Sequence, residues 1–215
     1  MHLLFPPQQA LIPKKSGMFA YDMEKEKKKT HYILVDAEYA EAVAGRLRSH
    51  YAQVLGHEVP RLDLADWLTC CALDCGLQQG DNEVQVCIFH LPGTKRLEHF
   101  LPSDLAGELD KQGFDVPGLG EFTVACAVKE DIVEGAPLPI QAALFILRDK
   151  GKGALTLVAD AGEHLQELRQ AATEAPEHPF TLMDMEQQMG TAGHVVLGFS
   201  MVHAMGLSQQ DLQRG

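Results

Sequence analysis

His31-Tyr-Ile-Leu-Val-Asp36 and Ala154-Leu-Thr-Leu-Val-Ala-Asp160 say most about the fold, because each is an apolar run that stops at an aspartate and leads into a helical pattern. Buried strands of a parallel sheet have such apolar runs and are joined by crossover helices. A third run, Phe180-Thr-Leu-Met-Asp184, ends in the same way. The three runs therefore predict a parallel sheet with carboxylates at the carboxyl edge of its strands, where open α/β sheets carry their binding sites.

The segments between these runs continue the alternation of strands and helices. Helices are predicted over 38–54, from a cap at Asp63, over 139–147, over 163–172 and over 189–205, and strands over 83–90 and 121–128. The turn at 91–94 predicts a hairpin partner for the strand 83–90 at residues 96–100. Together these patterns predict an α/β fold, a three-layer α/β/α sandwich with a mostly parallel sheet and an antiparallel excursion around residues 90–128.

The composition is that of a globular chain with one sizeable core. The chain has 215 residues, of which 46% are hydrophobic and 22% charged, as in ordinary soluble domains. No apolar run reaches the roughly 18 residues that a membrane-spanning helix needs, and the N-terminal stretch is too short for a signal peptide. The five cysteines lie in apolar stretches, which favours reduced core thiols over disulfides. We therefore expect a cytoplasmic protein without a membrane segment.

The charge is unevenly distributed along the chain. Residues 1–30 carry six lysines and three acidic residues, a net charge of +3. Because the whole chain has a formal net charge of −12, residues 31–215 carry −15. The sequence predicts a basic, disordered leader over 1–30 and a single α/β domain over 31–215. Met1, Met18 and Met23 all remain candidates for the native start. A body of this charge argues against nucleic acid as a partner, because nucleic-acid binding draws on basic patches.

The strand-end aspartates are the best candidates for a functional site. Asp36 and Asp160, with Glu38 or Asp184, are expected at one edge of the sheet, where clustered carboxylates bind Mg²⁺ or Mn²⁺ and the metal activates water for attack on phosphorus. The alternative is structural, since an aspartate after a strand often caps the next helix. Other motifs indicate no chemistry. Cys70, Cys71 and Cys75 lack a fourth zinc ligand, and Gly198-Phe-Ser200 lacks the second glycine of a nucleophile elbow.

Two of these segments resemble a known group of proteins. Ile33-Leu-Val-Asp36-Ala-Glu38-Tyr39 is similar to the opening strand of the NYN and PIN-like nuclease families, and Leu155-Thr-Leu-Val-Ala-Asp160-Ala-Gly-Glu163-His-Leu165 is similar to their later strand with its acidic pair. The resemblance implies a metal site formed by Asp36, Glu38, Asp160 and Glu163. It also implies an aspartate at the start of the helix before the second motif, but that helix begins Pro137-Leu-Pro-Ile-Gln141, with Glu134 just upstream.

Two functions from different classes follow. One is a metal-dependent phosphodiester hydrolase, similar to a ribonuclease, with Asp36 and Asp160 as ligands of Mg²⁺ or Mn²⁺. The other is a non-catalytic NYN-like module that binds a protein partner. The missing third carboxylate and the acidic body favour the second function, and the sequence indicates no particular partner or oligomeric state.

Overall fold

The computed structural model describes residues 29–129, 135–149, 153–185 and 193–213. Apart from Lys29 and Thr30, the predicted leader lies outside these ranges. The described strands are β1 (Lys29–Asp36), β2 (Leu62–Asp63), β3 (Asn82–His90), β4 (Phe100–Leu101), β5 (Gln112–Val116), β6 (Gly120–Val128), β7 (Ala154–Val158), β8 (Phe180–Asp184) and β9 (His194–Val196). The described helices are α1 (Ala37–Leu55), α2 (Leu64–Asp74), α3 (Leu138–Arg148), α4 (Leu165–Glu174), α5 (Leu197–Ala204) and α6 (Gln209–Leu212).

Seven of the strands form one sheet in the order β5-β6-β3-β1-β7-β8-β9, and β2 and β4 form a small second sheet. Neighbouring strands of the large sheet are parallel except for β5 and β6. The chain moves outward from β1 to β3 and β6, and then returns to the other side of β1 to enter β7. This reversal places the switch point of the sheet between the carboxyl ends of β1 and β7, where open α/β proteins bind their ligands.

The sheet is covered by helices on both faces. Ile33 and Val35 of β1 pack in the core shared with α1, α2 and α5, whereas Leu34 packs in the core shared with α3 and α4. Because β1 is buried on both faces, its sequence is continuously apolar rather than alternating. The predicted three-layer α/β/α sandwich with a mostly parallel sheet is confirmed.

Helices α1 and α2 begin at the predicted caps. Asp36 Oδ1 accepts a hydrogen bond from the Tyr39 N–H at 3.2 Å, and Asp63 Oδ1 accepts one from the Asp66 N–H at 2.9 Å. At the other end of α1, Gly56 adopts a φ of 73°, the left-handed conformation that commonly ends a helix. Asp36 therefore caps α1, as the structural alternative predicts.

The antiparallel part of the sheet is smaller than the sequence predicts. Within the described chain, only β5 runs antiparallel to a neighbour in the large sheet, and a short turn joins it to β6. The predicted hairpin partner at 96–100 is wrong, because both neighbours of β3 are parallel to it. Phe100 instead pairs with Leu62 in the small sheet, and its ring centroid lies 5.0 Å from that of Trp67. Burial of this aromatic pair, rather than the turn at 91–94, determines the path of the segment.

The helix predicted over 189–205 is wrong in its first part. Residues 189–192 lie outside the described ranges, Gly193 has a φ of 75°, and the chain then forms β9 before α5 begins. Three residues are too few for the two-residue period of a strand to show in the sequence. Along α5, Val202 is buried but Phe199 is 75% exposed, so the apolar spacing does not describe one buried face.

Two further predictions concern the oxidation state of the cysteines and membrane-spanning helices. All five cysteines are free thiols, and each is buried or half-buried, as the apolar stretches around them predict. Among the residues that the structure describes, no helix combines the length and the hydropathy needed to cross a membrane.

Candidate functional site

The predicted carboxylates lie along the carboxyl edge of the sheet. Asp36 ends β1, and Asp160 follows β7, the neighbouring strand on the other side of the switch point. Glu38 lies in the first turn of α1, and Glu163 lies in a 3-10 turn (Gly162–His164) that leads into α4. Asp184 ends β8. The edge predicted from the sequence is therefore the edge on which these residues are found.

Lys129 lies between two of these carboxylates. Its Nζ is 2.8 Å from Asp36 Oδ1 and 2.6 Å from Glu38 Oε2. Lys129 is the residue after β6, and its backbone N–H donates to the His90 carbonyl at the end of β3. The long side chain thus reaches past β3 to the end of β1, and only 12% of it is exposed. The ammonium partly neutralises the carboxylates that were predicted to bind a metal.

Lys129 is not among the predicted site residues. The signal that points to it is its position, because Lys129 follows a parallel strand of the same sheet and must lie at the same edge as Asp36. A search for carboxylates alone does not consider a cation there.

Glu38 also holds the loop that follows β3. Its Oε1 accepts hydrogen bonds from the Leu91 N–H at 2.9 Å and from the Thr94 hydroxyl at 3.0 Å. Burial raises the pKa of Glu38, but these bonds and the Lys129 ammonium outweigh it and hold the pKa below its ordinary value. Conversely, burial lowers the pKa of Lys129, and the Asp36 and Glu38 carboxylates more than restore it. Glu38 is therefore ionised and Lys129 protonated at neutral pH.

Asp160 and Glu163 do not join this cluster. Asp160 Oδ1 accepts a hydrogen bond from the Gly162 N–H at 3.0 Å, and the Glu163 side chain is 90% exposed, 3.8 Å from His164. Over the described residues, no group of three or more histidine, cysteine, aspartate or glutamate side chains is placed to hold a metal ion. Glu134 lies outside the described ranges. The assignment of Mg²⁺ or Mn²⁺ to Asp36, Glu38, Asp160 and Glu163 stays a prediction.

Tyr39 connects α1 to the end of β8. Its hydroxyl oxygen accepts a hydrogen bond from the Met185 N–H at 3.0 Å. Burial raises the pKa of Tyr39, and the charges of Asp184 and Asp160 raise it further. Asp184 is itself buried, and its Oδ1 lies 2.5 Å from Nε2 of His194, whose side chain is 3% exposed. These contacts fasten β8 and β9 to the rest of the edge.

A second candidate site is apolar and lies on the side of α1 and α5. A groove of about 550 Å³ opens there, and we call it the α5 groove. Its walls are formed mainly by Leu47, Tyr51, Val202, Leu207 and Leu212. Phe199, in the first turn of α5, also lines the groove and has 75% of its surface exposed, and Leu212 is 41% exposed. Large apolar side chains gathered at an exposed groove are typical of surfaces that bind another molecule.

The fold and these two sites define a three-layer α/β protein whose carboxyl edge carries two carboxylates and an ammonium in contact with both. The family model described as "Family of unknown function (DUF6621)" matches residues 25–212 of the chain. The chain belongs to this family. No curated protein matches the chain, and no solved structure matches it.

Proposed function

We propose that this chain is a non-catalytic, NYN-like α/β module that acts by binding a protein partner. The observation that carries the proposal is Lys129, whose ammonium lies 2.8 Å from Asp36 and 2.6 Å from Glu38. A divalent cation at these carboxylates would have to displace Lys129 from a largely buried position. It would also compete with the Tyr39 and Leu91 N–H groups, which hydrogen-bond to the same carboxylates. These contacts support a structural role of this edge over a metal site.

The remaining evidence supports the same function. Asp160 and Glu163 are not gathered with Asp36, and the charge of −15 on residues 31–215 opposes binding of a polyanion. Free thiols suit a reducing compartment, which supports a cytoplasmic location. The exposed Phe199 and the α5 groove support a partner that is a protein, because aromatic anchors and apolar pockets carry most of the binding energy at protein interfaces.

The non-catalytic part of the proposal is tested by thermal unfolding with and without millimolar Mn²⁺. The matched variant is Asp36→Asn, because asparagine caps a helix about as well as aspartate and leaves α1 intact. We expect Mn²⁺ to change the midpoint of neither protein. A stabilisation of the wild type that the variant loses would indicate a metal site through mass-action linkage and would support the hydrolase instead. Under the proposal, incubation with single-stranded RNA and Mn²⁺, with and without chelator, should leave the RNA intact, and cleavage that the chelator abolishes would contradict the proposal.

The binding part of the proposal is tested with Phe199→Asp and the matched control Phe145→Asp. Both side chains are exposed on helices, at 75% and 73%, but Phe145 lies on α3, on the opposite face of the sheet. Peptides selected from a displayed random library on the wild type should bind Phe145→Asp with unchanged affinity. They should lose at least about tenfold in affinity for Phe199→Asp, as expected for an anchor residue. Equal binding to all three proteins would contradict the assignment of this surface.

A further inference from the structure

We propose that the cavity beside α4 binds a small organic acid that carries a hydroxyl group on an apolar body. The cavity, which we call the α4 cavity, has a volume of about 490 Å³ and lies between α4, the segment before β8 and the start of β9. This inference goes beyond the proposed function, because the α4 cavity lies on the face of the sheet opposite to the α5 groove.

The walls of the α4 cavity are largely apolar. They are formed mainly by Leu165, Ala172, Pro179, Phe180 and Leu182. Pro179 is exposed, so the cavity is open to solvent. A cavity of this size, with apolar walls and a small number of polar groups, is typical of a site for a small organic molecule. The walls therefore account for the apolar body of the ligand.

His194 supplies a hydrogen-bonding atom that the fold does not use. Its side chain is only 3% exposed, and its Nε2 lies 2.5 Å from Asp184 Oδ1. Because a carboxylate accepts hydrogen bonds, the hydrogen lies on Nε2, and Nδ1 of the neutral ring keeps a lone pair. Nδ1 is buried and has no hydrogen-bond partner among the described residues. A buried polar atom without a partner is costly, and a ligand hydroxyl that donates to Nδ1 removes this cost.

The strand register places His194 on the side of the α4 cavity. His194 pairs with Leu182 of β8 in parallel register, and residues paired in this way have their side chains on the same face of a sheet. Leu182 belongs to the core shared with α3 and α4, and both residues line the cavity. The ring therefore lies on the face from which a ligand approaches. Because Nδ1 is covered, the hydroxyl reaches it by a side-chain adjustment of the kind that binding commonly causes.

His178, the other imidazole among the described residues that line the cavity, is already engaged. Its Nδ1 lies 2.9 Å from the Gly153 carbonyl oxygen, and its Nε2 lies 3.1 Å from the Asp149 carbonyl oxygen. Both ring nitrogens are therefore held by the backbone between α3 and β7. His178 forms part of the wall, and His194 is the imidazole that recognises the hydroxyl.

Arg169 supplies the positive charge of the site. It lies on α4, is half-buried and lines the cavity, and no acidic side chain is among the described lining residues. A guanidinium binds a carboxylate through two parallel hydrogen bonds. With its carboxylate at Arg169 and its hydroxyl at His194, the ligand keeps its charge away from Asp184. Salt screens the repulsion from the more distant carboxylates beyond about 8 Å at physiological ionic strength.

Isothermal titration calorimetry with pairs of acids that differ only in the hydroxyl tests the proposal on the whole chain. The pairs are mandelate and phenylacetate, phenyllactate and phenylpropionate, and para-(hydroxymethyl)benzoate and para-toluate, which vary the placement of the hydroxyl relative to the carboxylate. In at least one pair, the hydroxy acid should bind with a dissociation constant of about 1 mM or below, and its partner should bind at least about tenfold more weakly. No binding of any hydroxy acid at about 10 mM, or equal binding within every pair, would overturn the proposal.

Two variants assign the contacts of the hydroxy acid. Arg169→Gln should weaken its binding at least about tenfold, whereas the control Arg148→Gln, on α3 and outside the described lining of the cavity, should leave the affinity within about threefold. His194→Gln keeps an amide donor for Asp184 but has no ring nitrogen, so the advantage of the hydroxy acid over its partner should fall to within about threefold. His57→Gln, at an exposed histidine, is the control for this substitution. Equal losses in a variant and its control would overturn the assignment.

The tautomer of His194 gives an independent readout, which long-range proton–nitrogen NMR spectra of the wild type measure. Without ligand, the ring should carry its hydrogen on Nε2 and none on Nδ1, and the bound hydroxy acid should shift the Nδ1 resonance. A hydrogen on Nδ1, or an Nδ1 resonance that the bound acid leaves unchanged, would overturn the role of His194. Thermal unfolding establishes that each variant is folded. If His194→Gln is not, the matched acids and Arg169→Gln still decide the proposal.

Discussion

Lys129 sets the charge at the carboxyl end of β1 although it comes from β6, with β3 in between. Its ammonium meets two carboxylates that would otherwise face each other in a largely buried position. The ammonium needs the carboxylates and each carboxylate needs the ammonium, because a buried charge without a partner is costly. The cluster therefore stabilises the fold mainly by avoiding an unpaired charge, and removing one member is the informative experiment.

Replacing Lys129 by methionine keeps the aliphatic stem and removes the ammonium. We expect the free energy of unfolding at pH 7 to fall by about 1–3 kcal/mol, less than for a fully buried pair because Glu38 is 32% exposed. Urea denaturation measures the change. A loss that vanishes when Asp36→Asn is added would assign it to the uncompensated carboxylate, and an unchanged stability of Lys129→Met would contradict the argument.

Under the proposed function, the same variant should gain an affinity for divalent cations that we do not expect of the wild type. Without the ammonium, Asp36 and Glu38 present two carboxylates to solvent ions, and millimolar Mn²⁺ should raise the thermal midpoint of Lys129→Met. The double variant Lys129→Met with Asp36→Asn is the control and should respond much less. A Lys129→Met protein that is indifferent to Mn²⁺ would show that the geometry of the pair, rather than the lysine, excludes the metal.

His31 makes the stability of the fold depend on pH. It is buried, its Nε2 lies 2.9 Å from Thr156 Oγ1, and burial lowers its pKa from 6.5 to about 4. Between pH 6.5 and 4, the unfolded chain binds a proton at His31 that the folded chain does not bind. The free energy of unfolding is therefore at its full value above pH 6.5 and falls as the pH is lowered toward 4. The loss amounts to about 3 kcal/mol.

His31→Asn tests this dependence, because asparagine does not titrate. The difference in unfolding free energy between wild type and variant, from urea denaturation across this pH range, should shift toward the variant by about 3 kcal/mol on acidification. Titration of all other groups is common to both proteins and cancels in the difference. If the difference in unfolding free energy does not depend on pH, His31 is not the source of the pH dependence.

At the scale of elements, the contact between β6 and β3 depends on one glycine. A Cβ on Gly120 would lie 2.2 Å from the Asn82 carbonyl oxygen, and Gly120 has a φ of 117°. Gly118, in the same turn, has a φ of 79°, and a Cβ there would meet nothing within 4 Å. The two positions therefore separate backbone strain from steric exclusion within one turn.

Gly118→Ala should cost about 1 kcal/mol of unfolding free energy, which is the cost of a left-handed alanine. Gly120→Ala should cost at least about 2 kcal/mol more, because the strand ends must also move apart. Urea denaturation of both variants gives the comparison. Equal costs at the two positions would mean that β6 accommodates the methyl group by a small shift.

Elements with strong local signals were predictable, and those set by distant contacts were not. Asp36 and Gly56 mark both ends of α1 in the sequence, and the apolar runs identify β1, β7 and β8. The path of 91–104 and the strand β9 depend on burial of Phe100 and on pairing with β8, which no local pattern encodes. The same reason applies to the site, since Asp36 was predictable from its strand, but the approach of Lys129 across β3 was not.

For the whole molecule, the strand order predicts a gradient of local stability. β1, β3 and β7 lie in the middle of the sheet under two helical layers, whereas β5 and β9 are its edge strands. Amides of the central strands should exchange with solvent only on global unfolding, and those of β5 and β9 should exchange earlier by local opening. Native-state hydrogen exchange measures this order. Protection of β9 equal to that of β1 would indicate that another molecule covers this edge.

The Lys129 cluster finally has a consequence for the evolution of the family. Position 129 lies far from positions 36 and 38 in the chain, but its lysine pairs with both carboxylates. A change at any of the three positions therefore alters the selection on the others. Family members without a cation at position 129 should have lost a carboxylate at 36 or 38, or should have acquired a different positive group there. Substitution at these three positions should therefore be correlated across descendants, and a lineage that lost the lysine first would have been one step from recruiting a metal.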